Sequence, residues 1–262
     1  MLAELEGKGG CLCKPAKEGT LRCPLIVRPT SEDVVTGNLF GLLQAINPRW
    51  WLPDLLNRGL DIPSTHPRAF RQQIYQKLRI QLWQKQPLFP KNLIPWDEGS
   101  TEVDVVIMWE NPPTTIFIEM KYGSPLSAST SNNCGDHGYP SDQLIRNARI
   151  GLHRCGWYRE DVLFEQGTRD FVLLLLTPTV GSPLMRRYRD VGCLYKSIPH
   201  SQQLIGLPRQ PFIGELSYGC VSKILQARIP MMNSTEKTLT RRLMEYLEFK
   251  TFKLREGNGR GH

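Results

Sequence analysis

Apolar positions recur at helical spacing through Val35, Leu39, Leu42, Leu43 and Ile46. They predict a helix capped by Ser31 and ended by Pro48 and Pro53. A second stripe, Phe70, Ile74, Leu78 and Leu82, predicts another helix over 67–85, with Pro67 at its first position. Arg71, Lys77, Arg79 and Lys85 fall on the solvated side of that helix. The pattern then changes. EVDVVIMW at 102–109 and TIFIEMK at 115–121 are dense in β-branched and apolar residues and read as the two strands of a hairpin. The prolines at 112 and 113 call for a connection longer than two residues.

Residues 122–140 form a long polar loop, of a length that is usually functional or disordered. Ser141 is the expected cap of a helix to about His153, with Leu144, Ala148 and Leu152 on one face. DFVLLLLT at 170–177 is apolar without alternation and reads as a strand buried on both faces. Asn233-Ser234-Thr235-Glu236 opens a last helix of about 15 residues. A helix between the hairpin and the buried strand makes a right-handed crossover back into the same sheet. The expected fold is therefore α/β, a mixed central sheet with helices on both sides. Residues 1–29 are set apart as a loose N-terminal segment. Residues 30–262 form a single domain, with its core at about 31–177 and a basic helical part at 178–262.

Composition narrows the class. At 40% hydrophobic and 22% charged residues, the chain is neither disordered nor fibrous. Its strongest apolar run, the seven residues 171–177, falls far short of the roughly 20 that span a bilayer. No basic-then-apolar leader opens it, so the expectation is a cytoplasmic protein without a membrane partner. The seven cysteines then read as free thiols. Cys11, Cys13 and Cys23, and Cys134 with His137, are too unlike as pairs to favour a zinc site. Charge is uneven. Residues 1–170 hold 19 Lys+Arg and 19 Asp+Glu, whereas 171–262 hold 14 and 6, so the whole net charge of +8 lies in the last third. Such a third is either a solvated surface or a face toward a polyanion.

The chemistry is concentrated in the hairpin. Glu102, Asp104, Glu119 and Lys121 are charged residues inside its two apolar strands. Alternation puts Glu102 with Asp104 on one face and Glu119 with Lys121 on one face. Position 104 falls opposite 119 or 120, and one residue of register decides whether the pairs meet. The register that gathers all four is expected, because charges pointing into a core need partners. Two adjacent carboxylates repel unless a cation lies between them. Mg²⁺ suits a carboxylate pair, waters and a phosphate oxygen. A lysine on the same face can orient or deprotonate water, or stabilise a phosphorane. The competing reading is an exposed hairpin with a cross-strand ion pair of little consequence.

The order of these features resembles the PD-(D/E)xK nuclease superfamily, whose restriction-endonuclease-like core runs helix, three-stranded meander, helix, strand. Asp104 looks like the family's first strand carboxylate and Glu119-Met120-Lys121 like its Glu-x-Lys, with Met120 contributing only its main-chain carbonyl. Glu32, in Ser31-Glu32-Asp33, is similar to the acidic residue that the family often carries on its first helix. Gln143 occupies the place of a glutamine common after the motif, with Arg146 one turn on as a phosphate contact. The resemblance covers about 31–177. The family's proline before the first Asp is replaced by Val103, and the role of Glu102 stays open. No third strand follows Lys121; the loop at 122–140 stands in its place, with 162–164 as a strand candidate.

The resemblance implies a metal-dependent nuclease, most readily a deoxyribonuclease. Asp104 and Glu119, completed by Glu32, would hold Mg²⁺, for which Mn²⁺ can substitute. Lys121 would activate water. Gln143, Arg146 and the Arg186, Arg187 and Arg189 run would face DNA. Glu32 also reads as the acidic first turn that any helix favours, Gln143 as a solvent-facing amide, and the arginine run as a solvated surface. The alternative is a catalytically inactive nucleic-acid-binding or assembly module on the same fold. Homo-oligomerisation is left open.

Overall fold

The computed structural model describes residues 32–63, 65–66, 70–94, 96, 98–123, 126, 139–140, 142–159 and 167–258, without the side chains of 72 and 251–258. The N-terminal segment, Ser31, Pro67, Ser141, the strand candidate at 162–164, and Cys11, Cys13, Cys23, Cys134 and His137 lie outside the described residues.

The first described helix, α1 (Glu32–Leu43), turns Val35, Leu39, Phe40 and Leu43 inward. After it, α2 (Leu52–Gly59) starts with Pro53 in its first turn. Five strands then form one sheet in the order β1 (Arg79–Lys85), β2 (Glu102–Glu110), β3 (Pro113–Met120), β4 (Asp170–Thr177) and β5 (Ile213–Ser217). The first three are antiparallel neighbours, and β4 and β5 are added parallel to β3. Between β3 and β4 lies α3 (Gln143–Arg154), the expected crossover helix. Between β4 and β5 come α4 (Pro183–Arg189) and α5 (Val191–Ser197); after β5 come α6 (Tyr218–Arg228) and α7 (Ser234–Asn258). One core cluster joins α1, α2, α6 and α7 to one face of the sheet, and a second joins α3, α4 and α5 to the other. Helices on both faces explain why 170–176 is buried at every position. No helix among the described residues is long and apolar enough to cross a membrane.

Four local expectations need correction. No helix runs over 67–85: residues 70–72 form one 3₁₀ turn and 79–85 are β1. The stripe at 70, 74, 78 and 82 steps by four, a multiple of the strand period as well as nearly a helical turn. The helical reading also needed apolar residues three apart, and Gln73, Lys77 and Gln81 are polar. Lys77 takes a left-handed φ of 54°, and Ile74 is 68% exposed. β1 thus precedes the hairpin and pairs with β2 antiparallel.

The hairpin turn is only Asn111-Pro112, joined by a cis peptide bond. Pro113 is accommodated as the first residue of a strand. The cap of α3 is Asp142, whose Oδ1 accepts from the N–H groups of Leu144 and Ile145. Its Oδ2 accepts from the Tyr188 hydroxyl. Finally, α7 is 25 residues long and begins with the expected reciprocal cap, Glu236 N–H to Asn233 Oδ1 and Asn233 N–H to Glu236 Oε2. Neither proline nor glycine interrupts it before Gly257.

The outer side of α3 is held by a buried cation. Arg149 is 0% exposed, pairs with Glu98, and lies 5.4 Å and 5.5 Å over the Phe89 and Trp96 rings. Glu98 also pairs with Arg146 at 3.0 Å. Removing Glu98 leaves the Arg149 charge buried without its counterion. Glu98→Ala is therefore expected to cost about 3–5 kcal/mol, read as a lower urea midpoint at unchanged slope.

Candidate active site

The site lies where β3 ends. The β2–β3 pairing runs as far as Val105 with Ile118, and Asp104 and Glu119 are the next residues on the two strands. The two carboxyl groups are close enough for the Asp104 charge to act on Glu119. Asp104 Oδ2 also accepts from the Met120 N–H at 2.8 Å, which ties the two strands at the motif. On the other side of β2, Trp83 is the β1 residue across from Asp104. Its φ of 51° interrupts the ladder at that point. Glu102 sits opposite Lys85 of β1.

Beyond Met120 the chain leaves the sheet, but Lys121 stays fixed. Its N–H donates to the Leu176 carbonyl at 2.9 Å, and its own carbonyl accepts from the Tyr218 hydroxyl at 2.9 Å. Its ammonium lies 3.0 Å from Glu119 Oε1 and 3.2 Å from Glu32 Oε2. Glu32 comes from the first turn of α1, and its Oε1 accepts from the Tyr122 N–H at 3.3 Å. The structure thus brings together Asp104, Glu119, Lys121 and Glu32 from three elements.

Glu119 is 0% exposed. Burial, then the Asp104 charge, push its carboxyl up to about 8; Lys121 and the Asn147 amide pull it only part of the way back. Burial alone would lower the Lys121 ammonium, but Glu119 and Glu32 outweigh it and the net shift is upward. The sign for stability follows. A carboxyl raised from 4.5 to about 8 contributes stability that is complete below pH 4.5 and lost as pH rises through 8. Lys121, raised above 10.5, keeps its contribution across that window. Without divalent metal, the protein should therefore lose on the order of 2 kcal/mol between pH 6 and pH 8. Thermal melts in EDTA check this, and Glu119→Gln should remove most of the difference.

The other expected substrate residues are carried by α3 and α4. Gln143 opens α3, one turn before Asn147. Arg146 is engaged by Glu98 and donates to Thr101 Oγ1 at 3.1 Å. Arg186, Arg187 and Arg189 are exposed on the last turn of α4. Arg187 covers the Tyr188 ring at 5.8 Å, and Arg189 donates to the Gly59 carbonyl at 3.3 Å.

Two residues of the site were not foreseen. Asn147 Nδ2 donates to Glu119 Oε2 at 2.9 Å from a wholly buried position on α3. A carboxamide beside Leu144 and Ala148, in an otherwise apolar stripe, was a readable signal. Tyr218 gave none, because its place depends on β5.

The donor set suits a hard cation in kind. Glu119 Oε1 is buried, with the Lys121 ammonium 3.0 Å away. Asp104 lies on the adjoining strand, β2. No group of three or more His, Cys, Asp or Glu able to hold a metal occurs among the described residues. Further ligands would be main-chain oxygen, water and phosphate, as is usual for Mg²⁺. No protein-family model, curated protein or solved structure matches the chain.

Proposed function

We propose that this protein is a Mg²⁺-dependent deoxyribonuclease of the PD-(D/E)xK kind, on a restriction-endonuclease-like core. The observation that carries the reading is the Lys121 ammonium 3.0 Å from Glu119, beside Asp104, whose Oδ2 accepts from the intervening Met120 N–H at 2.8 Å. The element order supports it: helix, three antiparallel strands, helix, parallel strand. Asp104, Glu119 and the Met120 carbonyl would hold Mg²⁺. When bound, the ion supplies an acidified water and offsets charge on the phosphorane. Lys121 orients the attacking water, and as a cation it stabilises the charge that develops on phosphate. Glu32 completes the site from α1, with one oxygen on Lys121. Gln143, Arg146 and the α4 arginines are the substrate-facing groups.

The test is cleavage of duplex, nicked and single-stranded DNA and of RNA, with Mg²⁺ or EDTA. Binding without cleavage in any of these would favour the inactive module. The arginines have their own readout. Neutralising Arg186, Arg187 and Arg189 together should weaken DNA binding and reduce the slope of log K against log salt by roughly 1–3. Metal affinity should stay unchanged. An unaltered salt slope would remove the α4 face from the DNA path.

A further inference from the structure

Asn147 is 0% exposed on α3, among Leu144, Ile145 and Ala148. Its Nδ2 donates to Glu119 Oε2 at 2.9 Å, while its Oδ1 is buried with no hydrogen-bond partner. An orphaned buried amide oxygen costs about 1–3 kcal/mol. Leucine has a similar shape and would avoid that cost. The fold instead keeps a carboxamide whose one hydrogen bond is spent on Glu119. When a bound cation keeps Glu119 ionised, only the amide nitrogen can donate to it, which sets the orientation of the group. The arrangement divides the Glu119 carboxylate in two. Oε2 is committed to Asn147, and Oε1 is turned toward Lys121.

We propose that Asn147 is a positioning residue for Glu119: by holding Oε2, it presents Oε1 to the divalent cation. The inference rests on the metal-site reading above and adds a residue that the motif does not contain. Partners of this kind orient a ligating group without touching the metal, and their loss typically weakens metal binding 10–100-fold.

The experiment is a calorimetric titration of the metal-free full chain with Mn²⁺ at pH 7, run beside thermal melts. Asn147→Leu removes the donor and the orphaned oxygen while keeping the branching of the side chain. It should bind Mn²⁺ at least about tenfold more weakly with a Tm at or above that of the parent. A residue needed only for packing would show the reverse, a lower Tm with parental affinity. Asn147→Ala should weaken binding to a similar degree, and it serves if leucine proves too bulky. Parental Mn²⁺ affinity in either folded variant, with Glu119→Ala losing it, overturns the role of Asn147 alone. Parental affinity in Glu119→Ala as well overturns the metal site, and the inference with it.

Discussion

Lys121→Ala is expected to lower DNA cleavage by about 10³-fold or more while leaving the fold intact. The side chain is 12% exposed, and its ammonium pairs with the two carboxylates, Glu119 and Glu32. Removing it leaves those carboxylates facing each other. Glu119, already pushed up to about 8, can take a proton instead of unfolding the site. Metal affinity should persist, because an ammonium is not a ligand and competes with one. Asp104→Ala should abolish cleavage to the same degree by a different route, through lost metal binding. Single-turnover cleavage and Mn²⁺ titration of the two variants separate these routes. Equal loss of metal binding in both would place Lys121 in the scaffold of the site instead of its chemistry.

Gly214→Ala is expected to be the most damaging single methyl in the described fold. A Cβ at 214 would lie 2.0 Å from the Gly59 carbonyl oxygen, 2.7 Å from its carbon and 3.1 Å from the Leu60 Cα. All three are backbone atoms at the end of α2, so no side chain can swing aside. Either β5 lifts from α2 or α2 shifts off the sheet, where Gly59 already meets Leu174. Overpacking of this kind costs about 3 kcal/mol or more, a large part of a typical 5–15 kcal/mol. The effect should reach the site, because β5 runs directly into Tyr218, whose hydroxyl holds the Lys121 carbonyl. A urea midpoint equal to that of the parent would contradict the close approach of β5 and α2.

The hairpin was legible because two β-branched, apolar runs flank a short Asn/Pro turn, although the sequence left its register open. The buried strand at 170–177 was legible for a similar reason, since six consecutive apolar positions without alternation need cover on both faces. β1 was misread because RIQLWQK carries polar residues between its apolar ones, and an even-numbered stripe fits two periods. β5 escaped notice altogether. It is five residues long and includes Gly214 and Glu215, and its identity comes from parallel pairing with β4. The site divides along the same line. Asp104, Glu119 and Lys121 follow from strand alternation, which is local. Asn147 and Tyr218 reach the motif only through tertiary packing, and Arg146 proved to be tied to Glu98.

One measurement bears most directly on the claim that Asp104, Glu119 and Lys121 form a phosphodiesterase site. End-labelled duplex and single-stranded DNA are incubated with the purified full chain in Mg²⁺ and in EDTA, beside Asp104→Ala prepared identically. Cleavage that requires Mg²⁺ and disappears in Asp104→Ala is the predicted result. Equal cleavage by the parent and Asp104→Ala, or intact DNA under every condition while the folded parent binds Mn²⁺, would contradict it.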